Sequence, residues 1–300
     1  MKGLVIFFAL ALAVGCVSAD WKPALKVKFD AAMAPWSGKD CFYDIPRTTT
    51  DAIDLGWKRT ERPKGPLPTL VLLCPADPHL CAFFDDETGH VAGLQICIPQ
   101  NEFTNATFDW TTQGFTKWTP TTVQGEPTEY QCTAQFFHSE EYFKKTPEER
   151  LASRKDKILQ EDKIWLTGFN GKLDEWSDKT TDLENSIWTK QQCIPWMGQH
   201  YYYNMSSTTL CEADKLYPWF PLENSGNIVG TGFIVFGKLP VKEGIQDWFE
   251  RPPKPAVMAI VPRGPSCLYD LAGNVGLLTM HIYYVDKPWT ILCSIFGWLF

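Results

Sequence analysis

A stretch of this chain is written twice, and that repetition limits the folds open to it more than any other feature. Leu73-Cys74-Pro75-Ala76-Asp77 returns as Leu210-Cys211-Glu212-Ala213-Asp214. Each copy runs on through Leu80 or Leu216, then Phe83-Phe84 or Trp219-Phe220, then Glu87 or Glu223. Each closes on a glycine pair, Gly89 and Gly93 or Gly226 and Gly230. Internal similarity of this kind is weighed first, because it decides the architecture. Two copies are too few for a solenoid, so the reading is a duplicated module. Chance likeness between two hairpins is the competing explanation.

Within the first copy, a turn through Glu87-Thr88-Gly89 sets Leu80 opposite Ile98, Ala82 opposite Ile96 and Phe84 opposite Leu94. That makes one continuous apolar face, as two-residue alternation requires. The same register opposes Cys81 to Cys97, and opposed strand residues bring their β-carbons near disulfide reach. Tyr217 and Ile234 take those two places in the second copy, so both cysteines are lost together. The expected bond is Cys81–Cys97. Cys74 matches Cys211 and Cys132 matches Cys267, which adds Cys74–Cys132 and Cys211–Cys267. Cys41 and Cys193 pair by elimination, leaving Cys293 as a candidate intermolecular thiol. In the second copy Trp219 falls opposite Gly232, a ring covering a bare strand position.

The fold class expected is mainly β: two related antiparallel modules, sandwich- or barrel-like, stapled by disulfides. The first module spans 20–140 and the second 191–300, with a helical and polar connector over 141–190. In the connector, Thr146-Pro147-Glu148-Glu149 offers a hydroxyl N-cap, proline at the first helical position and the Glu of a capping box. That predicts a helix from Arg150 to about Gln160 on a solvated segment. Trp165, Trp176 and Trp188 punctuate the polar loop that follows. Strand patterns include Tyr201 to Tyr203, Ile228 to Phe236, Ala256 to Val261 and Gly276 to Val285, with Arg251-Pro252-Pro253-Lys254-Pro255 as a stiff link. The uncharged end, Trp289 to Phe300, reads as a final core strand or as a self-association surface. It is too short to span a bilayer as a helix, which needs about 20 residues.

The N-terminus reads as an export signal over 1–19: Lys2, an apolar run from Leu4 to Val14, then Val17-Ser18-Ala19 as a small-residue cleavage site. A lipoprotein leader ending at Cys16 is the alternative. Export agrees with ten cysteines, which in such a chain read as a disulfide framework. It also agrees with sequons at Asn105-Ala106-Thr107 and Asn204-Met205-Ser206. The formal net charge of −7 argues against a nucleic-acid partner.

No local motif announces chemistry. HExxH, HxH, GxSxG and glycine-rich phosphate loops are all absent from the sequence. His79, His90, His138, His200 and His281 each read as structural. His281 falls off the apolar face made by Leu278, Met280, Ile282 and Tyr284. Asp77, Asp214, Glu87 and Glu223 recur at turns, where carboxylates satisfy local N–H groups. Asp85-Asp86-Glu87 lacks the spacing of a calcium loop. No metal, cofactor or catalytic residue is expected.

Aromatic density is the remaining lead, with 13 Trp, 10 Tyr and 19 Phe. Tyr202, Trp219, Phe233 and Tyr284 are the candidate ligand-binding residues, lining an apolar cavity enclosed by sheets. The leading expectation is a secreted glycoprotein that binds an apolar or amphipathic small molecule without catalysis. An extracellular structural or interaction glycoprotein and a secreted hydrolase are the alternatives.

Overall fold

The computed structural model describes residues 21–29, 41–120 and 128–293. The expected leader and the last residues of the apolar tail lie outside them. Fifteen strands form two antiparallel sheets. In chain order come β1 (Pro23–Lys28), β2 (Phe42–Asp44), β3 (Lys58–Thr60), β4 (Val71–Cys74), β5 (Leu80–Phe84) and β6 (Val91–Pro99). Next are β7 (Thr116–Trp118), β8 (Tyr130–Phe136), β9 (Lys163–Thr167) and β10 (Leu173–Ser177). The last five are β11 (Trp188–Ile194), β12 (Gly198–Tyr203), β13 (Trp219–Asn224), β14 (Asn227–Phe236) and β15 (Leu277–Val285).

The first sheet is ordered β3-β4-β5-β6-β8-β9-β10, with β7 also on β8; the second is β11-β12-β13-β14-β15-β1-β2. Each order runs outward from a central hairpin, β5–β6 or β13–β14. The module boundaries expected from the sequence differ from this. The N-terminal strands β1 and β2 complete the second sheet, and the expected connector supplies β9 and β10 to the first. Trp165, Trp176 and Trp188 accordingly sit in strands rather than in a loop.

The sheets stack face to face on one core. Leu80, Ala82, Phe84, Leu94 and Ile96 of the first meet Trp219, Phe233, Val235, Met280 and Ile282 of the second. Alternation puts every second side chain on this inner face, which is why the apolar stripes were legible. A few polar groups also lie between the sheets, several of them hydrogen-bonded. The Trp219 indole N–H donates to the Thr167 carbonyl at 3.1 Å, and the Tyr284 hydroxyl donates to Gln135 Oε1 at 3.0 Å.

Register is where the sequence reading slips. In β5–β6, Leu80 faces Ile96 and Ala82 faces Leu94, so Cys81 stands opposite Gln95 and not Cys97. Asp85 organises the turn by accepting from the Glu87 N–H and the Thr88 hydroxyl, and a bulge follows at Phe83/Phe84. The slip is by two residues, so the inward face is unchanged. The cysteine partners change with it. Cys74, one residue beyond the Leu73–Ala82 pair, bonds Cys81 with a Cα separation of 4.4 Å. Cys97 lies directly across from Cys132 and bonds it. Neither Cys81–Cys97 nor Cys74–Cys132 forms. Cys211–Cys267 does. Cys193 bonds Cys293, so Cys293 is no intermolecular thiol here, and buried Cys41 is not Cys193's partner.

A similar one-residue offset moves the second hairpin. Trp219 faces Phe233, and Phe220 is the ring opposite Gly232.

The helices are short. α1 (Thr49–Asp54) precedes the first sheet, α2 (Pro147–Ala152) leads into β9, and α3 (Thr180–Glu184) leads into β11. The capping box of α2 forms between Thr146 and Glu149, yet the helix stops at Ala152. The Gln160 side chain folds back to bond both the N–H and the carbonyl of Lys155, closing a loop where more helix was expected. The segment is not merely solvated, since Arg150 is buried against Asp85 and Glu87. Of residues 256–261, expected as strand, all but the C-cap Val261 belong to α4 (Lys254–Ile260), followed by α5 (Ser266–Asp270). Pro255 in the first turn, followed by Ala and Met, favours helix there. The described part of the apolar tail makes a 3₁₀ turn at Pro288–Thr290 rather than a strand.

Among the described residues, no helix is long and apolar enough to cross a membrane.

Candidate functional site

The outer face of the second sheet carries His200 and Tyr202 on β12, Phe220 on β13, Ile234 on β14, and Thr279 and His281 on β15. These positions alternate with the inter-sheet core residues, so the pleat itself presents them outward. The Pro252-Pro253 segment, α4 and α5 fold over this face, with Val257, Val261 and Leu268 pointing down onto it. Trp196 and Met197, in the turn joining β11 to β12, close one side. Between them lies a cavity of about 530 Å³, a volume suited to a ligand of drug or lipid size.

Gly232 helps to make that room. It has no side chain, and a Cβ built on it would come within 1.9 Å of the Phe220 ring. Phe220 lies over the gap and stacks on Tyr202 at 4.8 Å between ring centres. The matching outer face of the first sheet is closed instead. There Arg62 sits over Phe83 at 4.8 Å and bonds the carbonyls of Pro66 and Leu70, leaving a space of about 30 Å³.

The walls of the larger cavity are apolar and aromatic except along one edge, where His200, Glu250, Thr279 and His281 converge. Glu250 is placed by its backbone. Its N–H donates to the Thr279 carbonyl at 2.8 Å, and the Thr279 N–H returns the bond at 2.9 Å. This continues the edge of β15 just beyond Lys28 of β1, which stands opposite His281. One carboxylate oxygen of Glu250 pairs with the Lys28 ammonium. The other lies 2.5 Å from His281 Nδ1. Lys28, Glu250 and His281 are all nearly fully buried.

Burial alone would raise the pKa of Glu250, but His281 and Lys28 beside it reverse the shift and hold it below the usual carboxylate range. Burial pushes His200 down to about 3, and neighbouring His281 acts in the same direction. His200 is therefore a neutral imidazole at neutral pH. Its Nδ1 is 3.1 Å from the Gly198 carbonyl, which an imidazole can satisfy only by donating. That bond places the proton on Nδ1 and leaves Nε2 as an acceptor, buried and without a hydrogen-bond partner. The His200 and His281 rings meet edge to face at 5.7 Å.

Of the four aromatic residues expected at a site, Tyr202 lines the cavity. Trp219, Phe233 and Tyr284 do not; they pack in the inter-sheet core. The cavity lies outside a sheet and under a helical cover, where the inward set of aromatics does not reach.

The remaining candidates are dispersed. His79 pairs with Asp77 at 3.1 Å, His138 stacks on Tyr142 at 3.9 Å, and His90 bridges to Thr48. Asp86 pairs with Arg59, and Asp85 and Glu87 with Arg150, so the acidic turn is neutralised by arginines. Glu223 accepts from the Gly226 N–H in its hairpin turn, and Asp214 pairs with Lys215. Asn105 and Asn204 are both exposed, each at positive φ in a loop.

Sequence reasoning missed Glu250 and Lys28 altogether. The available signal was His281's place off the apolar face of its strand, which marks a polar side chain aimed away from the core.

No protein-family model, no curated protein and no solved structure matches this chain.

Proposed function

We propose that this chain is an exported, disulfide-bonded glycoprotein that binds an apolar or amphipathic small molecule in the cavity under α4, without catalysis. The observation that carries this reading is the cavity itself: about 530 Å³, apolar and aromatic around most of its wall, with polar groups confined to one edge. Such a space is costly to leave filled with water and suits a ligand with a hydrocarbon body. Four disulfides and two exposed sequon asparagines support an extracellular setting.

The hydrolase alternative draws support from the Glu250–His281 pair, a carboxylate orienting an imidazole as in general-base sites. Among the described residues, however, no hydroxyl or thiol hydrogen-bonds either cavity imidazole, and nucleophilic catalysis needs one that does. The structural-glycoprotein alternative drew on Cys293 and on the apolar tail; Cys293 is bonded to Cys193, and residues 294–300 of the tail lie outside the described residues.

The test is native mass spectrometry of the secreted protein under non-reducing conditions, with organic extraction of anything bound. A monomer carrying a stoichiometric apolar molecule supports the reading. An empty protein that also fails to bind a neutral fluorescent naphthylamine overturns it.

A further inference from the structure

We infer that the polar edge of this cavity selects a ligand with an uncharged hydrogen-bond donor, a hydroxyl, at its buried end, and discriminates against a carboxylate. This rests on the binding reading above and names the headgroup for the same site.

The argument begins with charge. Lys28 is committed to Glu250, and its pair is internally neutral. Within the cavity wall no other lysine or arginine stands among the described residues. A ligand carboxylate would enter beside an ionised Glu250 with no uncommitted cation to receive it, and a buried charge without a partner is strongly disfavoured. Fatty acids and other anionic amphiphiles are thus poor occupants.

Hydrogen bonding points the same way. With its proton fixed on Nδ1 by the Gly198 carbonyl, His200 offers Nε2 as a lone pair. The ring is wholly buried, lines the cavity and stacks on Phe220 at 5.6 Å. No protein donor reaches Nε2. An unmet acceptor in such surroundings is an incentive for a ligand that brings an O–H or N–H. Glu250 adds further acceptor character at the same edge. An ether or ester head only accepts, so it can take a bond from a wall hydroxyl such as that of Thr279 but leaves His200 Nε2 unmet.

The headgroup can be isolated by holding the hydrocarbon constant. Dodecanol, dodecyl methyl ether and dodecanoate are competed against a bound neutral naphthylamine probe at neutral pH, using the intact non-reduced protein. Dodecanol is expected to displace the probe at concentrations about tenfold lower than either of the others, the usual worth of one buried hydrogen bond. In His200→Phe, which keeps an aromatic ring and removes the acceptor, dodecanol loses its advantage and the two ligands, alcohol and ether, displace the probe equally.

Preference for dodecanoate, or equal displacement by alcohol and ether in the wild type, overturns the headgroup assignment and leaves the binding reading standing. Failure of the probe and all three ligands to bind overturns the binding reading, and the headgroup assignment with it. Should His200→Phe not fold, as judged by circular dichroism, the three-ligand series on the wild type decides alone.

Discussion

Lys28 and Glu250, 222 residues apart in the chain, form an ion pair in which each side chain is only 3% exposed. The pair joins the N-terminal strand to the segment entering α4, at the polar edge of the cavity. Its worth as a net stabiliser is small, because two desolvated charges repay little more than they lose. Its removal by halves is another matter. Lys28→Met leaves the Glu250 carboxylate buried beside His281 alone and is expected to destabilise the fold by about 3–5 kcal/mol in urea unfolding. Lys28→Met combined with Glu250→Gln should recover much of that loss. A double variant no more stable than the single one would show that the damage lies in packing and not in charge.

Acid should weaken the fold through the cavity histidine. The ordinary pKa of His200 is 6.5, and in the folded chain it is about 3. Between those values the unfolded chain takes up a proton that the folded chain refuses. The stability contributed by keeping His200 neutral is therefore complete above about pH 6.5 and is lost progressively toward pH 3, at about 1.4 kcal/mol per pH unit. His79 and His138, pushed by burial to about 4 and about 3, act in the same direction. Asp77, raised by burial to about 7, acts against them, since its folded form keeps a proton that the unfolded chain gives up. His200→Phe isolates one contribution: unfolding free energies at roughly pH 7, 6 and 5 should fall less steeply than in the wild type, by one proton's worth. Parallel slopes would remove His200 from the account.

Gly232→Ala tests the space beneath Phe220. A methyl group there overlaps the ring, which must move outward into the cavity. Overpacking of this kind is expected to cost about 1–3 kcal/mol and to weaken binding of the neutral probe. Unchanged probe affinity with unchanged stability would mean that the ring has room to move elsewhere.

Cys193→Ser opens a covalent loop whose ends are 100 residues apart. Loop-closure entropy sets the loss at about 4–5 kcal/mol. The variant also exposes the Cys293 thiol, so covalent dimers should appear on a non-reducing gel for Cys193→Ser and not for the wild type. Dimers in the wild type would instead indicate that Cys293 is not held by Cys193.

The parts of this molecule that were legible in the sequence are those governed by neighbours in the chain. Alternation showed which side of β15 faces the core, and so sent His281 the other way. The Thr146–Glu149 capping box was visible because its members are three residues apart. Cys211–Cys267 forms as expected, but the equivalent bond that the repeat called for, Cys74–Cys132, does not. Register was not legible, because the turn is closed by Asp85 and His90, earlier in the chain than a turn centred on Gly89, and this shifts every partner. That displacement exchanged the bonds among Cys74, Cys81, Cys97 and Cys132. The site was legible only in its local pieces, Tyr202 and the orientation of His281. What makes it a site is the meeting of Lys28, His200, Glu250 and His281, brought together by strand pairing and covered by α4, where the sequence pattern predicts a strand from Ala256 to Val261.

β1 lies between β15 and β2, paired along its length with a strand that is synthesised last among the fifteen. At the usual rate of about 5–20 residues per second, Val27 waits tens of seconds for Ile282 to be made. Through that interval the first sheet can close on its own strands, whereas the second cannot join β1 and β2 to β11–β14 until β15 is made. The nascent chain thus travels with β1 able to pair only with β2, and the polar edge of the cavity, which needs Lys28, is assembled only at the end of synthesis. A factor that shields β1 during synthesis would act on the yield of folded protein, not on the stability of the finished molecule.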